Sequence, residues 1–69
     1  MLILSQDRTE ITELSRMYIF ENKSMHNYSI FCDCNNFGEY KTEERAKHIL
    51  AEIMTRAEMK REIYIMPEE

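Results

Sequence analysis

Only one stretch of this 69-residue chain carries a helical period, yet its strand-like stretches are apolar on both sides. From Thr42 onward, Ala46, Ile49, Leu50, Ile53 and Ala57 fall at i, i+3, i+4, i+7 and i+11 and form a single apolar stripe. Thr42 suits an N-cap, because its hydroxyl accepts a hydrogen bond from an orphan N–H of the first turn. Glu43 and Glu44 oppose the positive end of the helix dipole, and Lys60 and Arg61 oppose its negative end. The spacing predicts a helix from Thr42 to about Lys60, roughly 27 Å long at 1.5 Å per residue. One such helix covers one side of a small sheet.

The remaining segments read as strands. Met1–Ser5, Arg16–Glu21, Tyr28–Cys34, Phe37–Tyr40 and Ile63–Met66 are rich in β-branched and aromatic residues, and Ile11–Leu14 reads as either a brief strand or an irregular link. Asn22–Asn27 has turn chemistry, and Asn35-Asn36 is predicted as a two-residue hairpin turn because Asn tolerates positive φ. The order β-β-β-β-α-β gives an α+β fold: a small antiparallel sheet with one amphipathic helix packed on one face. Length allows a single domain over residues 1–69, with a core that supplies roughly 3–5 kcal/mol.

Side chains alternate across a strand, so each strand divides into two faces. Tyr28, Ile30, Cys32 and Cys34 form one face, which Met17, Ile19, Ile63 and Ile65 are expected to join beneath the helix. That leaves Tyr18, Phe20, Phe31, Tyr64 and Met66, with Leu2 or Leu4, on a side with nothing in the chain to cover it. A patch of this size exceeds what soluble monomers usually expose. The expectation is burial against a second copy, as a homodimer or higher oligomer, or against a host protein. The alternative is a sheet that curls around its own aromatics.

Signals for chemistry are sparse. Cys32-x-Cys34 with His26 and His48 lacks the two-to-four-residue cysteine spacing of structural zinc sites, so both cysteines read as small core residues with reduced thiols. The single glycine, Gly38, excludes Gly-rich phosphate loops, and no nucleophile elbow is present. No catalytic residue, metal or cofactor is therefore assigned. Arg45, His48, Glu52 and Arg56 line one helix flank, and Arg45 and Arg56 are the candidate contacts for a small anionic ligand in a cleft between subunits.

The 13 acidic and 9 basic side chains give a net charge of −4, which disfavours nucleic acid as a partner. No apolar run approaches the ~20 residues of a membrane span or the ~7–15 of a signal-peptide core, so the expectation is a cytoplasmic, soluble product with no membrane partner.

Gly38–Leu50 (GEYKTEERAKHIL), with Met1–Arg8 (MLILSQDR) and Met66–Glu69 (MPEE), resembles a family of short uncharacterised proteins of Gram-positive bacteria and their phages. The resemblance runs nearly end to end and imports no catalytic residue; the Cys32–Cys34 stretch lies outside its pattern. It implies a phage or mobile-element origin, a setting in which small acidic proteins act by binding, counter-defence included. The expected function is thus a non-enzymatic, homo-oligomeric interaction protein. The alternative is a small-ligand binder, a sponge for a nucleotide-derived signal held between subunits.

Overall fold

The computed structural model describes all 69 residues, and it has the α+β architecture that the periodicities imply. Six strands and one helix follow in the order β1 (Leu2–Leu4), β2 (Ile11–Glu13), β3 (Met17–Asn22), β4 (Asn27–Cys32), β5 (Asn35–Tyr40), α1 (Glu43–Glu58) and β6 (Ile63–Ile65). The segment left open between strand and link is a strand, β2. The strands form two three-stranded sheets, β2-β1-β6 and β3-β4-β5, where the patterns suggest one. The second is an antiparallel meander. In the first, β6 runs parallel to β1, because α1 carries the chain back and lays β6 in the same direction as the opening strand.

The helix obeys its sequence closely. Thr42 Oγ1 accepts from the Arg45 amide at 3.1 Å, and Ala46, Ile49 and Ile53 are buried, with Leu50 and Ala57 half-buried beside them. It stops two residues before the predicted end. The amide of Lys60 donates to Ala57 O and that of Arg61 to Arg56 O, and Lys60 takes the left-handed conformation (φ 58°) usually given to glycine at this point.

Three strand expectations need correction. The turn between β4 and β5 is Asp33-Cys34, not Asn35-Asn36. Cys32 pairs with Asn35, Asp33 adopts φ 55°, and its amide donates to Arg16 O at 2.8 Å. Cys34 consequently leaves the core face and is exposed at the turn, while Cys32 stays buried at 1%. In β6 the two faces are exchanged. Tyr64 pairs with the core residue Ile3 and therefore points inward, and Met66 is also fully buried, whereas Ile63 and Ile65 lie about half exposed.

One core serves both sheets and the helix: Ile3, Ile30, Cys32, Phe37, Tyr40, Ala46, Ile49, Ile53, Tyr64 and Met66, with Met17, Ile19 and Tyr28 packed against it. A β-bulge lets it close. Ile30 pairs with Gly38 and Phe31 with Asn36, so Phe37 is the extra residue of β5 and its ring is buried. The bulge is braced by Asn36 Oδ1, which accepts from the Gly38 amide at 3.0 Å.

Candidate interaction surfaces

The meander leaves one side without a helix, and there the cross-strand register gathers three of the aromatics singled out in the sequence. Tyr18 pairs with Phe31, with ring centroids 5.5 Å apart and nearly parallel planes. Phe20 meets Phe31 edge-on at 6.0 Å, and the Arg16 guanidinium lies 4.6 Å from the centre of the Tyr18 ring. Ser29, opposite Phe20, is buried beneath this layer, and its Oγ accepts from Asn36 Nδ2 at 3.3 Å. Tyr18 and Phe31 shelter one another, whereas Phe20 is 54% exposed.

Tyr64 and Met66 do not belong to this surface. Both are core residues, and the Tyr64 hydroxyl donates to Glu52 Oε1 at 2.5 Å, which satisfies its polar end at the rim.

A second bare surface holds Leu2 and Leu4, one of which the sequence pattern places on an uncovered side, together with Ile63 and Ile65, which it places in the core. Leu2 and Leu4 pair with Ile63 and Ile65 on one side, and Leu4 pairs with Ile11 on the other, so all five aliphatic side chains share the outer face of the β2-β1-β6 sheet. Ile11, Ile63 and Ile65 are each more than half exposed. The signal was the alternation in Ile63–Tyr64–Ile65, whose phase is set only by its pairing with Ile3.

Arg45 and Arg56 are not brought together within one chain. Arg45 Nε donates to Glu69 O at 2.8 Å, and its Nη1 lies 3.1 Å from His48 Nδ1. Arg56 sits 5.8 Å from the centre of the Tyr64 ring. His26 is exposed in the β3-β4 turn at φ 54°, remote in sequence from His48 on α1.

The strongest polar cluster is structural. Gln6 stands where a fourth strand would bond to β5: its amide donates to Phe37 O, its Oε1 accepts from the Glu39 amide at 2.8 Å, and its Nε2 donates to Glu39 O at 3.0 Å. The same Nε2 donates to Glu68 O at 2.8 Å; Arg8 Nη1 donates to Met66 O at 3.0 Å, and the Tyr40 hydroxyl to Pro67 O at 2.8 Å. Met1–Arg8, Gly38–Leu50 and Met66–Glu69 thus meet in one clasp that holds residues 66–69 in place. Asp7 fixes the turn beneath it. Hydrogen bonds from the Thr9 and Ser5 side chains and the Thr9 amide hold its carboxyl below the usual carboxylate range.

Burial raises the Tyr40 hydroxyl to about 12, against an opposing pull from Arg45 and Arg8. Burial and then the Glu52 carboxylate push Tyr64 up as well. Both phenols are therefore held protonated in the fold, so their contribution to stability is complete below the ordinary value of 10.0 and is lost as the pH climbs from there through the raised value. Thermal unfolding followed by circular dichroism is expected to give a level midpoint up to about pH 10 and a steep fall towards pH 12. Tyr40→Phe, which has no proton to lose, is expected to make that fall shallower; an unchanged pH profile would contradict the assignment.

No helix is long and apolar enough to cross a membrane, and no group of three or more His, Cys, Asp or Glu side chains is arranged to hold a metal ion. Comparisons with protein-family models, with curated proteins and with solved structures each returned no match.

Proposed function

We propose that this chain is a non-enzymatic interaction protein that works as a homo-oligomer, with the Tyr18–Phe20–Phe31 face as a contact between copies. One observation carries the reading: the single helix covers one side of the meander, and the other side presents stacked aromatics with Phe20 open to solvent. Aromatics of this kind anchor interfaces because they bury a large area at little entropic cost. The Arg16 guanidinium over Tyr18 gives that face a polar rim. The phage or mobile-element setting that the resemblance implies fits a protein that acts by occupying a partner, counter-defence included.

The test is the mass of the assembly in solution, by native mass spectrometry and by light scattering on untagged protein. The expected result is an oligomer for the wild type and a smaller species for Phe20→Glu, with the helical circular dichroism unchanged. A wild type of single-chain mass up to millimolar concentration would refute the homo-oligomer. A folded Phe20→Glu with the wild-type mass would remove the aromatic face from the contact.

A further inference from the structure

The four outer strands of the two sheets do not end alike. The far edge of β5 is closed by Gln6, which pairs with the backbone of Phe37 and Glu39. The edges of β2 and β3 carry charges, Glu13 and Glu21, of the kind that keeps strands from pairing with strangers. β6 carries only Ile63, Tyr64 and Ile65.

Its hydrogen-bonding phase is fixed on the inner side. Glu62 O accepts from the Leu2 amide and the Met66 amide donates to Leu4 O, so the residues of even number turn their backbone groups toward β1. The N–H and C=O groups of Ile63 and Ile65 turn the other way, where no strand lies and where neither backbone nor side chain bonds to them. Two exposed β-branched residues thus present four unpaired backbone groups on an uncharged edge.

We propose that β6 is a self-recognition edge, at which two copies pair antiparallel about a two-fold axis through Tyr64. In that register Ile63 of one copy faces Ile65 of the other, and the two pairs so formed satisfy all of the unpaired groups at once. The flanking charges choose the direction. Lys60 and Arg61, offset by Glu62, stand before β6, and Glu68 and Glu69, offset in part by Arg8 at 3.8 Å from Glu68 Oε1, follow it. Antiparallel pairing sets the basic end of one copy beside the acidic end of the other, and parallel pairing would set like against like. The product is a continuous sheet of two joined β2-β1-β6 units, with the aliphatic face of Leu2, Leu4, Ile11, Ile63 and Ile65 running unbroken across the axis. This rests on the homo-oligomer reading above but names a different contact from the aromatic face.

Two experiments test it. Ile65→Pro removes an N–H that faces the edge and that β1 does not use, so the inner ladder stays intact. The expected result is at least a twofold drop in assembly mass with the helix signal retained. Should that variant fail to fold, a charge exchange decides. Lys60→Glu/Arg61→Glu makes both ends acidic and Glu68→Lys/Glu69→Lys makes both basic. Each alone is expected to lose the edge contact, and an equimolar mixture is expected to recover it as a one-to-one species with at least tenfold tighter association than either alone. If the wild type is oligomeric but Ile65→Pro keeps its mass, or the mixture associates no better than its parts, the edge is refuted and the homo-oligomer stands. A single-chain wild type would refute both.

Discussion

Phe37→Ala is expected to leave the chain largely unfolded at 25 °C. The ring is 2% exposed at the one bulge in the meander and packs in the only core. Truncating a buried Phe to Ala costs about 3–5 kcal/mol, because the lost transfer free energy is joined by a cavity that the surroundings fill only in part. A core in a chain this short supplies roughly the same 3–5 kcal/mol. The Phe37 carbonyl also accepts from the Gln6 amide at 2.8 Å, so loosening the bulge slackens the joint between the sheets. Phe37→Leu keeps most of the volume and is expected to lose no more than about 1.5 kcal/mol. Urea titrations of the three proteins, followed by circular dichroism at one fixed concentration, separate the cases. A cooperative transition for Phe37→Ala within 1 kcal/mol of wild type would mean that the bulge does not seat the ring as a plug.

The elements that were legible in the sequence are those whose pattern is local. The stripe from Ala46 to Ala57, the Thr42 cap and the alternation that puts Ile30 and Cys32 inward depend on neighbours a few residues away, and all of them hold. The aromatic group was legible for the same reason: Tyr18 and Phe20 on one strand and Phe31 on the next follow from alternation plus one antiparallel pairing. What failed depended on long-range register. Ile63–Ile65 has only three strand residues, apolar on both faces, and nothing local says which face turns in; Ile3, sixty-one positions earlier, decides it by pairing with Tyr64. The hairpin turn lies two residues before its expected place. Asp33 and Asn35 both tolerate a left-handed backbone, and the choice of Asp33 exposed Cys34 and brought Asn35 and Asn36 into β5. The clasp was invisible because its acceptors are mostly backbone carbonyls, of Phe37, Glu39 and residues 66–69, which any residue there would offer.

The other large effect is expected at the chain's one glycine. Gly38→Ala should lower stability by about 1–3 kcal/mol, the usual range for an overpacked core, and it should do so only while Tyr40 is present. Gly38 is not in the left-handed region, so the backbone does not require glycine. Space does. A Cβ at this position would stand 2.7 Å from Tyr40 Oη and 2.8 Å from Cε2, distances that real contacts do not reach. The ring has no easy retreat, since it is 2% exposed and its hydroxyl is bonded to Pro67 O at 2.8 Å. Moving it aside would break that bond and loosen residues 66–69, which Gln6, Arg8 and Arg45 hold with the same clasp. A double-mutant cycle separates the effect of crowding from that of the strand. In a Tyr40→Leu background the clash is gone, and Gly38→Ala is expected to be neutral or stabilising by up to ~1 kcal/mol, because alanine restricts the unfolded chain more than glycine does. Equal losses in both backgrounds would show that the bulge itself needs glycine and that Tyr40 is a bystander. Faster exchange of the Met66 amide, which donates to Leu4 O at 3.0 Å, in Gly38→Ala alone would show that the ring had moved and taken the clasp with it.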